Sequence, residues 1–277
     1  MSFELFEKEQ NIIAEAKELL SNGGINDPKS RDAFAELLKN YEKLSKSTKR
    51  LVRVSDRNEA ELNKVAKSLD EKNAMLEGLS SKLSKYLSPQ IYESIFSGEQ
   101  AVQLRTERKK LTIFFSDIKD FTATTDDLEP EDITFLVNDY LTEMSEIALK
   151  HGATIDKFIG DAILIFFGDP TTNGVQEDAL SCVRMAIDMQ RHMVGLRAKW
   201  TEMGYARPFQ VRIGISTGYC NVGNFGSEER MDYTIIGGEV NLAARLESVA
   251  DPDGITIAYE TYALVKDFVD AEKGDTI

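Results

Sequence analysis

From Leu37 to Tyr86 the chain repeats a 4,3 spacing without a break: Leu37, Tyr41, Leu44, Thr48, Leu51, Ser55, Asn58, Leu62, Val65, Leu69, Lys72, Leu76, Leu79, Leu83 and Tyr86. Eleven of these fifteen positions are Leu, Val or Tyr, and no proline interrupts the run before Pro89. An apolar residue every 3.5 positions stays in register with a partner only when two helices wind around each other to the left. The spacing therefore predicts a long parallel coiled-coil helix over residues 31–88, roughly 75 to 85 Å long at about 1.5 Å per residue. Polar core positions, Asn58 in particular, lower the stability of such a coil while fixing its register and strand number. Upstream, residues 1–30 form a short helical segment. An amphipathic pattern over residues 3–21 stops at Gly23-Gly24, Asp27 can cap a new start, and Pro28 can take the first helical position.

A chain of 277 residues has room for a good-sized core besides this rod, so two domains are expected. The net charge of -14 excludes general binding to nucleic acid or anionic membranes, so any phosphate ligand must be held locally by metal ions or a few placed cations. The N-terminus "MSFELFEKEQ" lacks a signal-peptide pattern, and no run approaches the roughly 18 apolar residues that span a bilayer. Cys182 and Cys220 have no CxxC or Cys/His pattern and read as packing residues of a cytoplasmic protein.

After Pro89 a helix "QIYESIF" and the polar stretch "GEQAVQLRTERKK" make a linker over residues 89–107. The domain that follows, 108–277, alternates strand and helix. Strand 111–117 precedes the helix "EDITFLVNDYLTEMSEIALKHG", the hairpin "TIDKFIGDAILIFF", the helix "EDALSCVRMAIDMQRHMVGLRAKW" and the strand "FQVRIGISTG". This is the β, α, β, β, α, β order of an α+β, ferredoxin-like domain: an antiparallel sheet with helices on one face. Beyond it come a hairpin around 219–236, a helix from about 239 to 250, the short strand "GITIA" and a last helix from 259.

Strand 111–117 ends in "SDI" and the hairpin turns at Gly160-Asp161. In such a sheet the first strand lies beside the hairpin, so Asp117 and Asp161 can converge. Taken singly, Asp117 is an ordinary helix cap and Asp161 an ordinary turn residue. Taken together, two carboxylates repel unless a cation lies between them, and Mg²⁺ held by carboxylates and substrate phosphates is the usual solution.

Four segments, "LTIFFSDIKDFTATT", "HGATIDKFIGDAILIFFGDP", "RIGISTGYCNVGNFGS" and "DYTIIGGEVNLAARLE", together resemble in order and spacing the catalytic domain of class III nucleotidyl cyclases, over roughly residues 105–270. The resemblance implies that Asp117, Asp161 and the carbonyl of Ile118 bind two divalent metal ions, Mg²⁺ or Mn²⁺. It implies that Lys157 and Thr234 read the purine, in the pattern of class IIIb adenylyl cyclases, and that Asn241 and Arg245 orient the ribose and stabilise the transition state. A lysine can only donate and a threonine hydroxyl can accept, which matches N1 and the 6-amino group of adenine and points to ATP. Asn241 and Arg245 are four apart and share a helix face. His151 and His192 read as structural or exposed.

In that family the metal-binding aspartates come from one subunit and the other four residues from its partner. A homodimer, joined through the coiled coil and the catalytic domain, is therefore implied, with activity regulated through the coil. The chain stops at "DAEKGDTI", where the family continues into closing strands, and Lys273-Gly274 does not match the family's phosphate-binding Lys-Gly pair. Three rival readings are a guanylyl cyclase, which conflicts with Lys157; a dimeric signalling module without turnover; and a diguanylate cyclase, prompted by "GGE" at 237–239. In that last family the signature sits at a hairpin tip, whereas here it is expected to open a helix.

Overall fold

The computed structural model describes residues 6–96, 104–126 and 128–274. They fall into two compact units, Met1–Lys82 and Leu83–Ile277.

The first unit is helical. α1 (Glu7–Ser21) is followed by α2 (Pro28–Leu83), a single helix of 56 residues, about 84 Å long at ~1.5 Å per residue. Asp27 caps α2 as expected: its Oδ2 accepts from the backbone N–H of Ser30 at 2.9 Å. α1 folds back along the start of α2, an arrangement the heptad pattern did not contain. Lys17 Nζ meets Glu42 Oε1 at 2.5 Å, and Lys49 lies 5.4 Å from the centre of the Phe6 ring. On the side of α2 facing α1, Leu38 is buried and Tyr41 and Thr48 are half-buried. The rest of the apolar stripe is open. Leu44, Leu51, Leu62, Val65, Leu69 and Leu76 are 57 to 68% exposed. The helix also ends before the last heptad position: the Tyr86 N–H bonds to Leu83 O in a closing turn, leaving Tyr86 86% exposed.

The second unit is built on a sheet. In chain order its elements are α3 (Pro89–Phe96), β1 (Thr106–Ile118), α4 (Phe121–Thr125), α5 (Pro130–Lys150), β2 (Thr154–Ile159), β3 (Ala162–Phe167), α6 (Val175–Glu202), β4 (Val211–Gly226), β5 (Met231–Ile236), α7 (Gly238–Val249), β6 (Ile255–Ile257) and α8 (Tyr259–Val265). The stretch 89–107 thus contains a helix and the first residues of β1. α3 packs on the sheet domain, with Gln90 Nε2 donating to Ala153 O at 2.7 Å and Ile91 buried.

The strand order is β2-β3-β1-β4-β5, with β6 beside β4. β1 is central and is flanked antiparallel by β3 and β4. β6 pairs with β4 in parallel, so the sheet is not wholly antiparallel. β4 is one continuous strand of 16 residues, where the sequence suggested a break near Gly218 and a separate hairpin. Its outer edge pairs with β6 at Ile213–Ile215 and with β5 at Asn221–Gly226. The sheet curls until its ends meet: Thr234 on β5 bonds to Asp156 on β2 at 2.6 Å.

Residues alternate between the two faces of a strand. One face of the sheet carries Phe114, Ile118, Ile163, Ile165, Ile213 and Ile215 against α5, α6 and α8. Trp200 is fully buried there, and its Nε1 donates to Asp139 Oδ2 at 2.8 Å, as a buried indole N–H requires. The other face carries Leu111, Ile113, Leu164, Phe166 and Val222, and it is covered by α7. Helices therefore lie on both faces, correcting the one-sided arrangement read from the sequence. α7 fits because Gly214 has no side chain: a Cβ there would lie 2.0 Å from Ala243 O and 2.3 Å from Glu247 N. Gly214→Val forces α7 off β4 and is expected to cost at least about 3 kcal/mol, the upper part of the overpacking range. Thermal unfolding of the purified variant measures this.

Candidate active site

β1 and β3 pair from Thr112↔Phe167 to Ser116↔Ile163. Their register carries Asp117, at the end of β1, to the tip of the β2–β3 hairpin, where Asp161 follows Gly160. Gly160 has φ +68°, which a two-residue hairpin loop needs at its first position and glycine adopts without strain. The two carboxyls line the same cleft, close enough for Asp161 to act on Asp117. Two ionised carboxylates so placed repel, and a proton on one of them or a cation between them relieves the repulsion. Burial, then the Asp161 carboxyl and then the charge of Glu247 push Asp117 up to about 7.

The pair borders an open cleft of about 430 Å³, which Ile118, Asp120 and the first residues of α4 also line. Within it Asp161 Oδ2 is buried and has no hydrogen-bond partner. An orphaned buried carboxylate oxygen is costly. Two carboxylates and the main chain at Ile118 are hard oxygen donors of the kind that suit Mg²⁺ or Mn²⁺, so these residues fit a divalent ion. Among the described residues no group of three His, Cys, Asp or Glu side chains forms a metal cluster, so the remaining ligands of such an ion would be water or substrate.

Two further residues belong to this site, and the motifs did not single them out. Arg212 on β4 bridges Asp117 and Glu247: its Nη2 lies 4.0 Å from Asp117 Oδ2 and its Nε 2.8 Å from Glu247 Oε1. Burial raises the Glu247 pKa, and Arg212 pulls it back. The signals were present in the sequence. Arg212 is a cation inside the apolar run "FQVRIGIS", and Glu247 sits four residues after Ala243 on the buried stripe of α7.

The remaining sequence-predicted residues lie elsewhere. Lys157 is on β2 and Thr234 on β5, and they are gathered around one carboxylate, Asp156. Thr234 Oγ1 donates to Asp156 Oδ2 at 2.6 Å, and Lys157 Nζ lies 3.6 Å from Asp156 Oδ1. Burial raises the Asp156 pKa, while the Thr234 hydroxyl and then the Lys157 charge lower it. Asn241 and Arg245 are exposed on α7, on the face opposite Ala243, Leu246 and Glu247. The helix that buries Glu247 beside Asp117 therefore turns Asn241 and Arg245 away from it. None of Lys157, Thr234, Asn241 and Arg245 lines the cleft at Asp117 and Asp161.

The fold and the carboxylate cleft can be compared with known proteins. Residues 104–276 match the family described as the adenylate and guanylate cyclase catalytic domain. The chain belongs to the class III nucleotidyl cyclases. The adenylyl cyclase CyaB of P. aeruginosa has a crystal structure that is 57% identical to this cyclase, with a TM-score of 0.58, covering 60% of this chain and 84% of that one. The guanylyl cyclase Cya2 is 37% identical with a TM-score of 0.59, over 62% and 85% of the two chains. The terminal-differentiation-specific adenylate cyclase of Dictyostelium discoideum is 34% identical over 173 residues, which is 61% of this chain and 7% of that protein. The cyclase spans from 7% to 36% of the first three curated relatives it matches.

The GGE stretch, the two histidines and the two cysteines have ordinary roles in this cyclase domain. Gly237-Gly238-Glu239 opens α7, with Glu239 accepting from Ser216, while the hairpin tip is Gly160-Asp161. His151 and His192 lie on the outer helices and pair with Asp188 at 3.0 Å and Glu143 at 2.7 Å. Cys182 and Cys220 are buried free thiols, and burial pushes Cys220 up to about 11. No helix among the described residues is long and apolar enough to cross a membrane.

The Asp117 shift has a consequence for stability that can be measured without metal. Its folded pKa of about 7 lies above the ordinary carboxylate value, so its contribution is fully present at low pH and is lost as the pH rises through about 7. In EDTA, Asp117→Asn should melt higher than the wild type at pH 8, by about 2–4 °C for each kcal/mol of relieved repulsion. The advantage should shrink as the pH falls below about 7 and disappear only below about 4, the ordinary carboxylate value.

Proposed function

We propose that this chain is an adenylyl cyclase, converting ATP to 3′,5′-cyclic AMP and pyrophosphate in a homodimer. The observation that carries this reading is the division of α7: Glu247 faces the chain's own Asp117 while Asn241 and Arg245 face outward. A second copy related by a two-fold axis can present its Asn241 and Arg245 to this chain's carboxylates and receive the same in return. Two equivalent sites result, each needing both subunits.

Asp117, Asp161 and the Ile118 carbonyl would hold two divalent ions, which when bound lower the pKa of the ribose 3′-hydroxyl and neutralise phosphate charge. The 3′-oxygen attacks the α-phosphorus in line with the departing pyrophosphate, and no covalent enzyme intermediate is required. Asn241 orients the ribose. Arg245, an exposed guanidinium free to meet a phosphate, stabilises the charge that develops on the phosphoryl oxygens. Lys157 donates to adenine N1, and Thr234 accepts from the 6-amino group.

The open stripe of α2 supports a parallel coiled coil. A lone helix with this much apolar surface in water gains by pairing, and a paired rod raises the local concentration of the two catalytic domains and sets their orientation. An upstream signal acts by changing the twist or register of that rod. The similarity to the guanylyl cyclase Cya2 favours a second reading, GTP as substrate. Incubation with ATP or GTP and Mg²⁺ or Mn²⁺, followed by chromatography of the cyclic product, separates the two. Cyclic GMP as the main product would overturn the first.

Two experiments test the assembly. Asp117→Ala and Asn241→Ala homodimers should each lose activity by a factor of about 100 or more, as expected when charge stabilisation or positioning is removed. Mixing the two variants should restore one working site per mixed dimer, about a quarter of wild-type activity if chains pair at random. No recovery on mixing would exclude shared sites. Deleting residues 1–88 should weaken dimerisation and activity together, as read by analytical ultracentrifugation and turnover at equal concentration.

A further inference from the structure

Asp156 occupies a position that no motif assigned. β2 pairs with β3 as Ile155↔Ile165 and then as Lys157↔Leu164, so Asp156 is the extra residue of a β-bulge and has no residue opposite it. A bulge breaks the alternation of a strand and re-aims one side chain. Here it brings the Asp156 carboxylate, 1% exposed, against β5 at the closing seam of the curled sheet. Oδ2 receives the Thr234 hydroxyl proton at 2.6 Å, and Oδ1 is buried without a hydrogen bond, with Lys157 Nζ at 3.6 Å.

A hydroxyl has one proton and two lone pairs, and an ionised carboxylate can only accept. Once the Thr234 proton is committed to Asp156, a lone pair is all that Thr234 can offer a ligand. We propose that Asp156 is a positioning residue for base selection: it holds Thr234 as an obligate acceptor beside the obligate donor Lys157, so that the pair accepts adenine and rejects guanine. The inference rests on the reading of Lys157 and Thr234 as the base-contacting residues, and it adds what makes threonine selective. Threonine alone is ambiguous, since its hydroxyl can turn and donate to the 6-oxo group of guanine as readily as it accepts from an amino group. The buried charge removes that freedom. An asparagine of the same shape would fill the bulge equally well, yet its amide nitrogen could donate to Thr234 Oγ1 and release the threonine proton toward the ligand.

The test uses the full chain and three substrates: ATP, GTP and purine riboside triphosphate, which keeps N1 but lacks the 6-amino group. Asp156→Asn should lower kcat/KM for ATP about fivefold or more, mainly through KM, as the loss of one oriented hydrogen bond implies. Purine riboside triphosphate, which never used that bond, should stay within about twofold, and the preference for ATP over GTP should narrow. In a Thr234→Val background, Asp156→Asn should leave the ratio of ATP to purine riboside triphosphate unchanged, because the bond it directs is already gone. Equal losses on ATP and purine riboside triphosphate would make Asp156 a structural residue only and overturn the proposal. If Asp156→Asn shows no cooperative melt, Asp156→Ser carries the same comparison, since it also frees the Thr234 proton. A wild type that prefers GTP, or prefers neither nucleotide, would remove the parent reading along with this one. A wild type that selects ATP while both Asp156 variants leave selectivity intact would remove only this one.

Discussion

The register of β1 against β3 forces Asp117 and Asp161 together, and much else in the sheet domain can be understood as the response to that juxtaposition. Strand pairing from Thr112 to Ser116 is held by buried side chains on both faces, Ile113 on one and Phe114 on the other. The carboxylates therefore cannot relax apart without sliding a strand, and a one-residue slip would invert every side chain between the two cores. The strain is local and electrostatic. It appears as the raised Asp117 pKa, the orphaned Asp161 oxygen and the placement of Arg212 between Asp117 and Glu247. Under the proposed function, such a site would take up cations because it is unfavourable without them.

The second constraint is the tightness of α7 on β4. Gly214 removes a side chain from beneath the helix, so that the α7 backbone sits almost directly on the strand. This close seat brings Glu247 to Arg212 and fixes which face of α7 is turned outward. Asn241 and Arg245 are then committed to solvent in a single chain. Under the proposed function, the same packing that completes one half of a site in cis offers the other half in trans, which gives dimerisation a direct chemical meaning. The open stripe of α2 supports the same conclusion from a separate part of the chain, by hydrophobic rather than electrostatic reasoning.

Legibility differed among elements for physical reasons. The β–α–β–β–α–β order, the Asp27 cap and the Gly160 turn followed from local signals, because periodicity and turn chemistry act within a few residues. β4 was misread. Gly218 and Gly223 look like punctuation ending a strand, yet both lie inside one. Gly223 is required by close approach, since a Cβ there would lie 2.2 Å from Arg105 O, while Gly218 lies beneath the end of the Glu239 side chain. A glycine needed for a turn and a glycine needed for a distant neighbour look identical in one dimension. The return of α1 along α2 was hidden for the same reason, since the heptad pattern describes an apolar stripe and not what covers it.

The sequence by itself determined most of the strands and helices, the long helix α2 with its heptad stripe, and the residue types on which the proposed function rests, because these depend on short-range pattern and on the intrinsic chemistry of side chains. Only the tertiary structure decided that α7 lies on the second face of the sheet, that Arg212 and Glu247 join the carboxylate pair, and that a bulge aims Asp156 across the seam at Thr234. The first two depend on how α7 seats on β4, whose register with β1 sets Arg212 opposite Asp117, and the third on the curl of the sheet, which brings together residues as far apart as Asp156 and Thr234. Curl is a property of all the strands packed at once.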